Sequence, residues 1–463
     1  MAATMLLSET AVEKSPPVSN WPWLAEFRRK AQLDFRSQGL PNTRLEQWKY
    51  TSIKALADTE FQVDTDAMDV QSSLLQRDKA EYLKAEQSAA EDDRLVFLAG
   101  RFQAGLSRIS PLPPGAKLLS LRQALEQEHP LVRAHLGRIA KHQGHPFAAL
   151  NSLWLDDGLF LYLPADCQLR RTVHCLFYSP SGPSSFTSYP RLLILLESGA
   201  QAQLVEEYLG SIQPGDDNGA AQFTDSLTEV SLADGASLTH CKLLRESAQG
   251  HHIAGLHVEQ AENSRFQSFS LTLGGGICRN DVQVRLTAGG AETRLDGLYL
   301  LGGRQHLDNH LRIDHLQPGC RSEVFYKGIL NDRSRGVFNG IAVVHPGAQQ
   351  SDARQVNKNL MLSIGAEIDT KPELQIEADD VQCSHGAAVG QLDDDALFYL
   401  CSRGLERNQA RALLTFAFAR EALGRIPSGP LSERLEAMTF DALASQMGGA
   451  LSMGRESLME GAL

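Results

Sequence analysis

Near the start of the chain, apolar residues recur at a helical period. Trp23, Leu24, Phe27, Ala31 and Phe35 fall on one face, and Gly39-Leu-Pro41 stops the run. This predicts a helix over Trp21–Gly39. In the segment Pro41–Thr51 that follows, the aromatic side chains are expected to pack back on the neighbouring helix. Leu75–Ala90 and Leu119–Arg138 read as further helices, with a short apolar strand at Leu95–Ala99 between them.

From about Pro146 the helical periods disappear, and short β-branched or Leu-rich segments alternate with Gly, Asn and Asp. Aligning the glycines exposes a repeat. Gly199, Gly235, Asn263, Gly290, Gly319, Gly347 and Gly365 each begin a similar strand, and the four intervals from 235 to 347 are 28, 27, 29 and 28 residues. The first interval, 36, has room for a loop at Pro214–Gly219, and the last is 18. A period near 28 without helical halves suits a coil of several short strands. One such coil cannot bury its own apolar face, whereas stacked coils share an interior and pair their backbones between turns. Glycine or asparagine recurs because each corner needs a left-handed or tight conformation. The fold expected over residues 146–387 is therefore mainly β, a right-handed parallel β-helix; a β-sandwich with irregular turns is the competing arrangement.

Beyond Gly390 the helical period returns. Asp393–Gly404 has acids in the first turn, an arginine in the last and a glycine stop, which suits the helix dipole at both ends. Glu406–Leu423 follows, with Ala410, Leu413, Leu414, Ala417 and Phe418 on one stripe, and Pro427 and Pro430 precede a last amphipathic segment from Ser432 to about Met447. A helical end of this kind could cap the open edge of the solenoid or present a docking surface. The expected division is 1–145 helical, 146–387 β-helix and 388–463 helical.

Composition narrows the function. The 463 residues are 42% hydrophobic and 22% charged, enough for a large core in two or three domains. A net charge of -12 with no long basic block argues against nucleic acid as a partner. Met1–Pro17 has no apolar core of signal-peptide length, and no stretch approaches the roughly 20 apolar residues of a membrane helix; a cytoplasmic protein without membrane contact is expected. No GxxxxGK[ST], HExxH or GxSxG motif occurs. Acids and bases on a β-helix surface would also permit a carbohydrate-active enzyme, by fold analogy alone.

Seven cysteines are scattered without a CxxC pair, which is neither a disulfide framework nor a ready zinc site. Cys383 stands out because His385 lies two residues on, so on a strand both side chains share a face. A thiolate beside an imidazole can ligate a soft metal, shuttle a proton or simply pack. A second concentration, His306, Asp308, His310, Arg312 and Asp314, would line one face of a strand and more simply hydrogen-bond between turns than hold a metal.

The stretch Glu367–Asp393 and the following Leu397–Gly404 resemble the SufD family of the SUF machinery for iron-sulfur cluster assembly. The resemblance extends through Tyr326-Lys-Gly328, Phe338-Asn-Gly340, Asn357–Leu360 and Arg44–Thr51. It implies a non-catalytic scaffold in a SufBCD complex, paired with the paralogue SufB through the β-helix, or with a second copy of itself when isolated. It also implies docking of the ABC-type ATPase SufC on the C-terminal helices, with Leu413, Leu414, Ala417 and Phe418 as candidate contacts. ATP hydrolysis would then belong to the partner. Cys383 and His385 match residues associated in that family with nascent cluster formation at the SufB interface, so iron or a cluster would be held transiently there, with no tightly bound cofactor. SufB-like chains carry a cysteine where this one has Asn357-Lys-Asn-Leu-Met-Leu362, which favours SufD.

Overall fold

The computed structural model describes residues 4–6, 21–62, 92–180, 185–210 and 220–446. The helix expected over Leu75–Ala90 and the loop at Pro214–Gly219 lie outside them. Two long sheets dominate. Sheet 1 has twelve strands and sheet 2 has ten, and the chain alternates between them from Gln201 onward. Every pairing from there on is parallel and in continuous register, as with Gln201 opposite Ser237, Ser237 opposite Arg265 and Arg265 opposite Glu292. This is a β-solenoid of about eight turns, and the sandwich alternative is excluded.

The turn is simpler than the sequence suggests. It contains two strands, one per sheet, of 8 to 11 residues from Gln201 to Ile376. The recurring glycines mark the corner before each sheet 2 strand, where Gly235 and Gly319 sit at φ 67° and 70°; that left-handed region carries a steric cost for residues with a Cβ. Two of the expected corners are corrected. In the turn assigned to Gly347 the left-handed residue is Gln350, at φ 60°, and it is Gln350 that aligns with Gly319 when Arg321 lies opposite Asp352. Gly365 precedes a sheet 1 strand, Glu367–Ile376, so the interval of 18 is half a turn.

Inside, apolar columns stack from turn to turn, among them Val230, Val258, Val284 and Ile313. Strand pairing begins ahead of the expected boundary at 146. Asp93–Leu98 pairs with Val173–Ser179 as part of sheet 2, and Arg101–Phe102 folds back on it as a hairpin. Pro146–Trp154, where helical periods seemed to end, is a helix with all nine residues buried.

The outer faces are covered by different chemistry. Helices Pro22–Gln38 and Pro146–Trp154 lie over sheet 1, where Phe35, Trp48 and Phe147 pack with Phe223 and Ile253. Buried ion pairs fasten this layer. Arg191 donates to Glu229 at 2.5 Å, and Glu229 accepts the backbone N–H groups of Gly137, Ile139 and Ala140 at 2.8–3.0 Å. Sheet 2 is covered by helices Arg407–Leu423 and Pro430–Gln446, whose Ala412, Phe416, Leu435 and Phe440 meet Leu271, Leu298 and Ile329. The C-terminal helices therefore line the side of the solenoid rather than cap its end.

Candidate functional site

The chain leaves the solenoid with both sheets unfinished. Among the described residues, the last strand of sheet 1, Glu367–Ile376, pairs only with Arg335–Val344, and the last of sheet 2, Gln382–Gly390, only with Asp352–Met361. Each offers a row of N–H and C=O groups along its free edge.

Cys383 and His385 are on the second of these strands. In register they stand over Ala353 and Gln355, both buried interior residues. Strand alternation thus aims thiol and imidazole along the solenoid interior, at the one turn with no further turn above it. Cys383 is half-buried against Val344, Ala348 and Ala378, while His385 is exposed. Burial pushes the Cys383 thiol up, with a smaller push from Asp352, so the chain alone presents a protonated thiol and not a thiolate.

Two donors do not complete a cluster, which needs about four thiolates or equivalents. Among the described residues no group of three or more His, Cys, Asp or Glu side chains is placed to hold a metal ion. The His306–His315 strand is occupied by architecture instead. Thr51 donates to Asp308 at 2.7 Å and is 2.9 Å from His306 Nε2. Arg279 pairs with Asp308 and donates to Asp281 at 2.7 and 2.9 Å and to the Gln47 carbonyl at 2.8 Å. Its guanidinium lies 4.0 Å from the centre of the Trp48 ring. The Arg44–Thr51 motif is therefore a strap laid across sheet 1, and Trp48 packs on Phe147 and Arg279.

On the C-terminal helices the stripe Leu413, Leu414, Ala417 and Phe418 is half-exposed to exposed, because Ala412, Thr415, Phe416 and Ala419 take the buried side. Phe418 is partly engaged: Lys327 Nζ is 3.8 Å from its ring centre and donates to its carbonyl at 2.8 Å. The more exposed aromatics lie on helix Asp394–Ser402, where Phe398 is 76% and Tyr399 56% exposed and only Leu397 is buried. Both lie within Leu397–Leu423, the segment expected to carry the ATPase contact, although neither was named as a contact residue. Two aromatics beside the helix's sole buried position were the available signal.

Fold and site together define a solenoid protein that presents a thiol, an imidazole and, among the described residues, two unpaired strand edges on an end face. A family model described as "SUF system FeS cluster assembly, SufBD core domain" matches residues 178–418, and one described as "SufBD protein N-terminal region" matches 14–175. The chain belongs to this SufBD family of the iron-sulfur cluster assembly system. It is 34% identical over 400 residues to an iron-sulfur cluster assembly SufBD family protein of Synechocystis, covering 86% of each chain. It is 29% identical to the iron-sulfur cluster assembly protein SufD of Escherichia coli, covering 83% of this chain and 84% of that one. With SufD of Bacillus subtilis identity is 24%, over 89% and 92% of the two chains. The family displaces the carbohydrate-active alternative. No helix among the described residues is long and apolar enough to cross a membrane.

Proposed function

We propose that this chain is a non-catalytic scaffold of the SufD type, which pairs through its open solenoid end with the paralogue SufB and carries the ATPase SufC on its C-terminal helices. The observation that supports this best is the end face itself. Its two free strand edges can be completed by a partner with matching edges, and the same contact would bring further ligands to Cys383 and His385. The pair then supplies half of a site for iron or sulfide, and the partner supplies the rest. A metal arriving with the partner would displace the thiol proton, so a protonated Cys383 in the free chain is compatible with this role.

The test is co-expression of the complex with Cys383→Ser and, separately, His385→Ala, measuring iron and acid-labile sulfide per assembled complex. Both variants should assemble normally and lose most of the cluster; full cluster content in an intact complex would overturn the assignment.

For the ATPase contact, truncation at Asp393 is a poor experiment, since it would bare the apolar face of sheet 2. Point substitutions are cleaner. Phe398→Asp and Leu414→Asp should each weaken co-purification of SufC by about tenfold or more, the loss expected when a charge enters an apolar contact, with the melting temperature of the free chain unchanged. Retained binding in both would refute this docking surface.

A further inference from the structure

A cavity of about 330 Å3 lies between sheet 2 and the loop that joins the last two helices, far along the sheet from the open end. Its floor is the outward face of three neighbouring strands. Gln203, Thr239 and Gln267 form one row across them, and Val205, Cys241 and Phe269 form the next. Its roof is the loop from Ile426 through Pro427 and Ser428 to the helix start at Leu431. A slot with hydrogen-bonding amides on one side and apolar groups on the other is built for a flat molecule with a polar edge.

The roof is pinned to the floor at both ends. Arg425 donates to Asp296 at 2.6 Å and to Glu323 at 2.5 Å, and Arg294 donates to the Arg425 carbonyl at 2.9 Å. At the other end Arg434 donates to Glu207 at 2.5 Å, a fully buried carboxylate that His174 and Arg245 also contact. These contacts hold the space open, so it is preorganised and not a packing gap that closes when empty.

Hydrogen bonding sets the orientation. Arg294 and Arg425 are matched by Asp296 and Glu323, so this end carries no spare charge, and the polar row of Gln203, Thr239 and Gln267 sets the polar edge. Cys241 in the floor stays a thiol, its pKa pushed up to about 12 by burial, so binding there is non-covalent.

We infer that this slot is a small-molecule site for a flat aromatic or heteroaromatic molecule, its ring between Phe269 and the Ile426–Leu431 roof and its polar edge on Gln203, Thr239 and Gln267. Nothing in the scaffold reading requires it. The probe is 8-anilinonaphthalene-1-sulfonate, titrated into the full-length chain by fluorescence, with stoichiometry from equilibrium dialysis. One saturable site per chain is expected. Filling the slot from the floor with Thr239→Trp or from the roof with Ser428→Trp should abolish it, and Gln267→Leu should weaken it by about fivefold, the scale of one neutral hydrogen bond. Ile364→Ser, which removes an exposed apolar side chain elsewhere, should change nothing. Ser428 is in the exposed loop, so its variant carries the test if Thr239→Trp does not fold. Unsaturable binding, binding unchanged in every correctly folded slot variant, or loss of binding in Ile364→Ser would overturn the assignment.

Discussion

One interior column of sheet 2 runs the length of the solenoid and shows how differently its two ends are built. It begins at Phe97, passes Phe177, Tyr208, Leu244, Thr272, Tyr299, Gly328 and Asn359, and ends at Val389. Phe97 is 0% exposed and Val389 is 52% exposed. At the first end Phe97 stacks on Phe177 with ring centres 4.6 Å apart, Phe177 stacks on Tyr208 at 4.8 Å, and Phe102 of the returning hairpin covers Phe97 at 5.7 Å. That end is terminated. At the other, the same column ends with Val389 exposed and, among the described residues, both strand edges free, which natural sheets ordinarily avoid by covering or twisting the edge. The bare end is the one that the proposed pairing with a partner would use.

The sharpest way to break the contrast is to truncate the two ends of this column. Phe97→Ala opens a cavity among fully buried rings and should cost about 4 kcal/mol of unfolding free energy. Val389→Ala removes atoms that already touch water and should stay within about 0.5 kcal/mol. Chemical denaturation of the isolated chain compares them directly; equal costs would mean that the open end is covered in solution, by a second copy or by residues outside those described.

The next largest effect concerns the strap over sheet 1. Arg279→Met leaves Asp308 buried without its cation and removes the guanidinium that lies on Trp48. Breaking a buried pair costs about 3–5 kcal/mol, and the lower end applies because Asp281, the other partner, is 20% exposed and can rehydrate. Proteolysis within Arg44–Thr51 should accelerate in parallel. A variant as stable and as resistant as the parent would show that the strap is held by Trp48 packing alone.

What could be read in the sequence follows from which signals survive burial. A strand period of two placed Cys383 and His385 on one face, and glycine spacing revealed the stacked turns. The corner at Gln350 left no mark because a left-handed glutamine costs only about 1–2 kcal/mol, and surrounding pairings can impose it. Helix Pro146–Trp154 was missed because all nine residues are buried, and a helix without a wet face has no polar period to detect. The buried side of Arg407–Leu423 carried little signal for a related reason: it is made largely of Ala410, Ala412, Thr415 and Ala419, whose small side chains carry less hydrophobic weight than the half-exposed Leu413 and Leu414. That Cys383 and His385 lie uncovered depends on no further turn following, a fact about chain direction after Gly390 and not about any local pattern.

The mildest effect is one of pH and again separates the covered layer from the open end. His257 is buried under helix Pro146–Trp154, and burial pushes its pKa down to about 4, with a smaller push from His145. The remaining charges felt there are Glu229 and Asp281, which oppose the shift, and Arg191, which adds to it. A histidine depressed in the folded state binds fewer protons there than in the unfolded chain, whose pKa is about 6.5. Stability is then fully present above pH 6.5 and lost as pH falls from 6.5 toward 4. The full difference corresponds to about 3 kcal/mol at 1.36 kcal/mol per unit, and relaxation around the charged ring brings the expected loss to about 2 kcal/mol. His257→Gln keeps a polar group of similar size and removes the titration, so its stability should fall less steeply over that range. Val389, exposed on the last strand, provides the control: Val389→Ala should leave the acid limb of the free chain unchanged. Identical acid profiles for parent and His257→Gln would place the acid sensitivity elsewhere than in the layer over sheet 1.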